Sequence, residues 1–356
     1  MSASLTSTSS RRILTGITAS GTPHLGNYIG AIQPALNKQD KGECFYFIAD
    51  LHSLVKLWDK NLRKKYVLEI AATWLALGLD TQKNYFYRQS DIPEISELTW
   101  ILMTVASKGL LNRAHAYKSL VAENLSDMPP KDQDYGITMG LFNYPVLMAA
   151  DILIFNAHEV PVGKDQVQHI EIARDIGLRF NHLYGENSDS QGNKNNKNNQ
   201  SREIFVLPEP IVDPEGNVLP GLDGRKMSKS YQNTIGLFQD FKTLQKNINK
   251  IVTNSQLPGE PTSTEGCTLF QIYSAFSTEQ EQAELAQSYQ QGIGWGEVKK
   301  CLALKIQTAL GPAKEIYDEL MAHPQKIEQS LQEGAEKTRP IACETLDRVK
   351  MACGLK

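Results

Sequence analysis

No stretch of this sequence approaches the length and apolarity of a membrane span, which argues against an integral membrane protein. Its five cysteines, Cys44, Cys267, Cys301, Cys343 and Cys353, lie far apart, with no Cys-x-x-Cys pair and no histidine at zinc-ligand spacing. A disulfide framework and a structural zinc site are therefore not expected, and the thiols read as buried or incidental ones in a reducing cytosol. Positive charge is not in excess either: 37 Lys and Arg against 40 Asp and Glu leave a net charge of −3. Any nucleic-acid contact must then come from local basic patches. The first ten residues lack the apolar core of a signal peptide and the arginines of a transit peptide, so a flexible tail on a cytoplasmic protein is expected. No Ser-His-Asp or Cys-His constellation stands out as a covalent catalyst.

What is present is a chain of 356 residues with 41% hydrophobic and 22% charged residues, long enough for a larger and a smaller unit. Short apolar runs at 13–17, 44–49, 84–87, 160–162 and 204–207 alternate with amphipathic segments at 61–78 and 165–184, the pattern of an α/β, doubly wound parallel sheet. A helical insertion over about 94–156 separates its halves. The polar tract at 187–201 can bury nothing and reads as a surface loop. From about 237 onward the pattern is all helical, at 238–251, 269–277, 278–291, 298–310, 312–323 and 324–351. The expected organisation is a tail at 1–10, a Rossmann-like unit at 11–235, a helical unit at 236–340, and a last helical stretch at 341–356 that packs back on the first unit.

Three regions carry candidate chemistry. The strand at 13–17 breaks into Thr18-Ala19-Ser20-Gly21-Thr-Pro23, after which a helix can start at 25–28. Such a turn aims backbone N–H groups and a helix dipole at a ligand, which favours phosphate, and His24 and Asn27 add donors. Two hundred residues on stands Lys226-Met-Ser-Lys-Ser230, whose chance occurrence in a chain this long is on the order of one in ten thousand. The third is the helix at 143–156. Asp151 shares its apolar face with Met148, Ile152 and Phe155, and a carboxylate there requires a donor, either an internal Arg or Ser or a ligand N–H such as that of an indole. Asp50 and His52 follow a buried strand at its carboxyl end, where open α/β sheets place ligands. Asp165 is a good helix-start residue, and Gln166 and His169 share one helical face.

His24-Leu-Gly26-Asn27 and Lys226-Met-Ser-Lys-Ser230 together resemble the two signature motifs of the class I aminoacyl-tRNA synthetases, in the form of the tryptophanyl and tyrosyl subgroup. Asn27, in place of a second histidine, is usual in the tryptophanyl branch. Tyrosyl enzymes resemble Tyr-x-x-x-Gln-x-x-Asp in the third region, whereas Tyr144-x-x-x-Met148-x-x-Asp151 is similar to the bacterial tryptophanyl enzymes. A thioether suits the face of an indole and a glutamine suits a phenol hydroxyl. The similarity extends through Val160-Pro-Val-Gly163-Lys-Asp165-Gln166-Val-Gln-His169 and over most of the chain. It departs at Thr18-Ala19, where the family commonly has Gln-Pro.

The resemblance implies ATP-dependent activation of L-tryptophan and its transfer to tRNA(Trp), with Mg²⁺ on the phosphates and a homodimer as the assembly. His24, Asn27, Lys226 and Lys229 are implied to be catalytic. ATP contacts are implied for Thr18, Ala19, Ser20, Gly26 and Asn27 in the first loop, and for Gly163, Lys164 and Asp165. They are implied further for Val218, Lys226, Met227, Ser228, Lys229 and Ser230 in the basic loop. Tryptophan contacts are implied for His52, Tyr144, Met148, Asp151, Ile152, Val160, Val162 and Gln166. Lys118 has a family position on the phosphate side. A tyrosyl enzyme and a non-catalytic RNA-binding paralogue are the competing readings, and Met148 and the intact lysine motif speak against each in turn.

Overall fold

Five parallel strands, β1 (Arg12–Thr18), β2 (Glu43–Ala49), β3 (Tyr85–Arg88), β4 (Glu159–Pro161) and β5 (Glu209–Ile211), form one sheet in the order β3-β2-β1-β4-β5. The computed structural model describes residues 11–185, 203–212 and 218–356; the expected tail at 1–10 and the polar tract at 187–201 lie outside them. The helices in chain order are α1 (Leu25–Asn27), α2 (Gln33–Leu36), α3 (Asp50–Ser53), α4 (Lys60–Ala76), α5 (Pro93–Val105), α6 (Lys108–Leu111), α7 (His115–Ser126), α8 (Met139–Leu153) and α9 (Val167–Tyr184). They continue with α10 (Phe241–Asn249), α11 (Thr268–Ser274), α12 (Glu279–Gln290), α13 (Trp295–Ala322) and α14 (Pro324–Ala352).

The register of β1 on β2 runs from Arg12 opposite Glu43 to Thr18 opposite Ala49. Successive side chains leave a strand on opposite faces, so each strand feeds two cores. Leu14, Phe45, Phe47 and Tyr87 pack beneath α5, α8 and α9. Ile13, Cys44, Tyr46 and Phe86 pack against Val67, Ile70, Ala71 and Trp74 of α4. Chain direction across the sheet reverses at β1, with β2 and β3 on one side and β4 and β5 on the other. The carboxyl ends of β1 and β4 therefore open on the crevice where doubly wound sheets bind ligands.

Several boundaries differ from expectation for identifiable reasons. The last strand is Glu209–Ile211 and not 204–207, because the backbone there is taken by side chains. Asn181 Oδ1 accepts from the N–H groups of Ile204 (3.2 Å) and Phe205 (2.9 Å), and Asn156 Oδ1 accepts from Val206 (2.9 Å). Thr138 caps α8 by accepting from the Leu141 N–H, so that helix begins four residues before 143. The helices expected at 298–310 and 312–323 are one, α13, which runs through Pro312; proline removes one helical hydrogen bond there without ending the helix. Asp240 caps α10, delaying its start to Phe241.

A third core, in the helical unit, joins Leu244, Ile272, Tyr289, Leu302 and Ile306 to Leu25 and Ile29 of the first loop region and to Met227. The last helix belongs to the sheet over most of its length. Ile327 and Leu331 enter the α4 core, and Ala335, Ala342, Leu346 and Val349 the other, so the return begins well before 341. A Cβ on Gly334 would stand 1.6 Å from the Phe86 carbonyl oxygen, so only glycine allows α14 to lie this close to β3. Arg339 and Glu94 (2.7 Å) and Lys350 and Glu97 (2.7 Å) tie α14 to α5.

Candidate active site

The loop after β1 and the basic loop 226–230 meet at the carboxyl end of the sheet. Leu25 N–H donates to the Ile235 carbonyl (2.9 Å), Leu237 N–H to the Pro23 carbonyl (3.1 Å), and His24 pairs with Gly236 across an antiparallel bridge. The Gly26 N–H meets Met227 Sδ at 3.3 Å. Met227 is 4% exposed and packs with Leu25 and Ile29, so it fastens the two loops together and offers no surface to a nucleotide. Asn233, which the sequence reading missed, holds the basic loop in shape. Its amide accepts from Ser228 N–H (2.8 Å) and donates to Asp223 Oδ1 (2.7 Å) and the Lys226 carbonyl (3.1 Å).

Lys229 lies over the loop glycine: a Cβ on Gly21, whose φ is +147°, would stand 2.8 Å from Lys229 Nζ. Burial pushes the Lys229 ammonium below its ordinary pKa, with Glu69 pulling the other way. Glu69 is itself buried in α4 and accepts from the Thr22 hydroxyl (2.8 Å), which anchors the loop to the helix. His24 is buried and is the N-cap of α1: its Nδ1 accepts from Asn27 N–H, while Asn27 Oδ1 accepts from His24 N–H. Burial, and then the charge of Lys229, lower the His24 pKa to about 4. A neutral imidazole whose Nδ1 accepts carries its proton on Nε2, so His24 presents a donor.

In the first loop Thr18 and Ser20 are exposed, but Ala19 is fully buried in the α4 core. Its side chain offers nothing to a ligand, so the Ala19 contact reduces to backbone groups. Val218 and Ser230 are exposed at the margins of the basic loop, and Ser228 accepts from Ser230 N–H. Lys118 projects from α7 into solvent.

The other end of the crevice is a network of paired polar groups. Asp151 is 1% exposed, and its carboxylate accepts from Gln89 Nε2 (2.7 Å) and faces His52 Nε2 (2.8 Å). The internal partners are therefore His52 and Gln89, not an Arg or Ser. Burial raises the Asp151 pKa and these two bonds oppose the rise. Gln89 was not foreseen. It is fully buried at the end of β3 and its Oε1 also accepts from the Leu51 and His52 N–H groups, so one amide sets both the His52 backbone and the Asp151 carboxylate. The Tyr87 hydroxyl, buried with its pKa raised by desolvation and by Asp151, has no partner among the described residues.

On the other wall Asp165, Gln166, His169 and Tyr144 form a line. Gln166 Nε2 donates to Asp165 Oδ2 (2.8 Å), Gln166 Oε1 faces His169 Nδ1 (2.8 Å), and His169 Nε2 faces the Tyr144 hydroxyl. Tyr144 meets His52 edge-on with ring centroids 6.4 Å apart, which joins this line to the Asp151 network. Asp165 sits in a short 3₁₀ turn, Lys164–Gln166, ahead of α9, and does not cap that helix. Burial pushes its carboxyl up, but the Gln166 amide, a backbone N–H and the charge of Lys226 bring it below the usual value. Lys226 thus reaches electrostatically across the crevice. Gly163 and Lys164 are exposed beside it, Met148 and Val162 are partly buried against the core, and Ile152 and Val160 lie fully within it.

The crevice therefore offers cations and N–H donors at one end and a network of paired, largely buried polar groups at the other. Comparison with known proteins places the chain. The family model described as tRNA synthetases class I (W and Y) matches residues 6–311. The chain is 52% identical over 348 residues to a tryptophan–tRNA ligase of Xanthomonas axonopodis pv. citri, covering 97% of this chain and 76% of that one. It is 49% identical over 350 residues to that of Neisseria meningitidis, covering 98% and 99%. The fold is similar to the crystal structure of the tryptophanyl-tRNA synthetase of Campylobacter jejuni complexed with ADP and tryptophan, at TM-score 0.85 and 43% identity over 97% of this chain and 100% of that one.

Proposed function

The chain belongs to the class I tRNA synthetases of the tryptophan and tyrosine branch, and on that premise we propose that it activates L-tryptophan with ATP and transfers it to tRNA(Trp), releasing pyrophosphate and AMP. The observation that carries the reading is the docking of the basic loop on the first loop, with Lys229 over Gly21 and beside His24. The tryptophan carboxylate attacks the α-phosphate; the bond to the pyrophosphate oxygen breaks and the carboxylate–phosphate bond forms. The nucleophile is already ionised, so no base is needed and catalysis is positioning plus charge stabilisation. The neutral His24 donates from Nε2 to a phosphate oxygen, Asn27 and the loop amides hold the same group, and Lys226 and Lys229 stabilise the departing pyrophosphate. Gly163 and Asp165 sit where the nucleoside would lie, with Asp165 accepting from ribose hydroxyls.

Mg²⁺ enters on the ATP phosphates, as part of the substrate. Among the described residues no three or more His, Cys, Asp or Glu side chains converge to hold a metal, and no step is assigned to one. The indole fills the recess between Met148, Val162 and the Asp151 network, its N–H adding a third donor to that carboxylate. Phenylalanine, lacking that donor, would leave one lone pair of the buried carboxylate unsatisfied beside its bonds to His52 and Gln89. A homodimer is supported by the apolar side chains left open on the insertion, Trp100 (69% exposed), Met128 (95%), Tyr135 (60%) and Met139 (68%). Among the described residues no helix is long and apolar enough to cross a membrane, and we place the enzyme in the cytoplasm, with tRNA bound by the helical unit at 236–340. Exchange of labelled pyrophosphate into ATP tests the reading: it should require tryptophan and not respond to tyrosine. Exchange driven by tyrosine would favour the sister enzyme, and none with any amino acid would favour a non-catalytic paralogue.

A further inference from the structure

The segment between α3 and the third turn of α4 is tied to the candidate site at both ends. His52 in α3 meets Asp151 at 2.8 Å, and Glu69 in α4 accepts from Thr22 of the first loop at 2.8 Å. Residues 53–68 therefore run along the rim of the crevice. The Lys56 and Leu57 N–H groups donate back to the Ser53 carbonyl (3.1 and 2.8 Å), which holds the connection tight against α3. Lys and Arg stand at 56, 60, 63, 64 and 65 against one acid, Asp59, in a chain whose net charge is −3. Asp59 is engaged as the cap of α4, accepting from the Asn61 and Leu62 N–H groups.

Arg63 donates to the Leu57 carbonyl (2.9 Å) and Lys65 faces Glu69 (3.6 Å). Among the described residues no carboxylate comes within 4 Å of the ammonium of Lys56, Lys60 or Lys64, and all three side chains are exposed. Lys60 and Lys64 lie one helical turn apart, a like-charge pair that costs stability. Beside them Trp58 is 80% exposed, whereas Trp74 of the same hairpin of chain is buried. An open indole among unpaired ammonium groups suits an unpaired nucleic-acid strand: bases stack on the ring and phosphates meet the lysines. A duplex keeps its base faces stacked on one another and offers the ring nothing. We propose that this rim receives the single-stranded 3′ end of the tRNA, a base on Trp58 and the phosphates on Lys56, Lys60 and Lys64, and so leads the terminal ribose into the crevice. The inference rests on the reading of the chain as a tRNA-charging enzyme, and it adds a contact on the sheet unit to the one proposed for the helical unit.

The test uses the full-length enzyme and separates the two half-reactions, since pyrophosphate exchange proceeds without tRNA and charging does not. Trp58→Ala should raise the KM for tRNA(Trp) in charging by about 10-fold, with tryptophan-driven exchange within about twofold of the wild type. Trp58→Phe, which keeps a stacking face, should recover most of the loss. Lys60→Gln combined with Lys64→Gln should reduce the slope of log affinity for tRNA against log salt by about 1.4. Neither change should alter affinity for tRNA(Trp) trimmed of its single-stranded 3′ nucleotides. Equal weakening of trimmed and intact tRNA overturns the inference, as does an unchanged KM or a matching fall in exchange. If Trp58→Ala instead shifts the protein to a smaller species in sedimentation, the rim is an interface between copies of this chain and the inference fails. A wild-type enzyme that exchanges pyrophosphate but charges no tRNA would remove the reading beneath it, and the inference with it.

Discussion

At the end of the crevice proposed for the triphosphate, the groups come from two segments two hundred residues apart, and most are backbone amides or cations near the surface. At the amino-acid end they are side chains from β3, α3, α8 and α9 that satisfy one another inside the protein, down to an Asp151 that is 1% exposed. The difference suits the two ligands proposed for these ends. A triphosphate brings its own charge, and the cations proposed to meet it stand near the surface, although burial holds the Lys229 ammonium below its ordinary pKa. An indole brings one N–H and a large apolar body, so the groups proposed to recognise it are buried, and a buried carboxylate is stabilised by partners, as Asp151 is by His52 and Gln89.

Lys229→Ala should break the phosphate end alone. Its expected effect is the largest, a fall of about 10²–10³-fold in the exchange rate, with tryptophan affinity measured by calorimetry unchanged. Asp151→Ala should break the other end, raising the KM for tryptophan by about 100-fold and leaving that for ATP in place. Because it also strands His52 and Gln89, thermal unfolding should show a loss of about 2–3 kcal/mol. Equal losses for both substrates would remove the proposed role of Asp151.

The two ends also differ in how far they could be read beforehand. His24, Asn27 and Lys226 to Ser230 stand in contiguous strings whose residue types declare phosphate chemistry, and the sheet announced itself through short apolar runs. Gln89 and Asn233 did not, because a hydrogen bond spanning 62 positions, as from Gln89 to Asp151, leaves no local pattern. Met227 and Ala19 stand within the motif regions yet face the core, a distinction that residue type alone does not carry. The last strand was misplaced for the same reason: Asn181 and Asn156 claim the backbone of 204–206 from a distance.

Smaller perturbations sharpen the contrast. Gly21→Ala puts a methyl against Lys229 at a φ of +147°, and should cost about tenfold in exchange rate and about 1–2 kcal/mol of stability, with tryptophan binding intact. The pH dependence of His24 leaves the binding of both substrates aside and is read in stability alone. Its folded pKa of about 4 lies below its ordinary 6.5, so the unfolded chain takes up the proton first and stability falls as pH drops from about 6.5 toward 4, by at most about 3 kcal/mol. Urea unfolding at pH 7 and pH 5 should show this loss, and His24→Asn should flatten it.

The measurement that bears most directly on the account is a double-mutant cycle in pyrophosphate exchange, combining His24→Asn, which keeps a capping side chain, with Lys229→Ala. If both act on one triphosphate across the docked loops, the double variant should lose little more activity than the worse single variant, a coupling of at least about 1.5 kcal/mol. Losses that simply multiply would show the two residues acting independently, and would contradict the shared site.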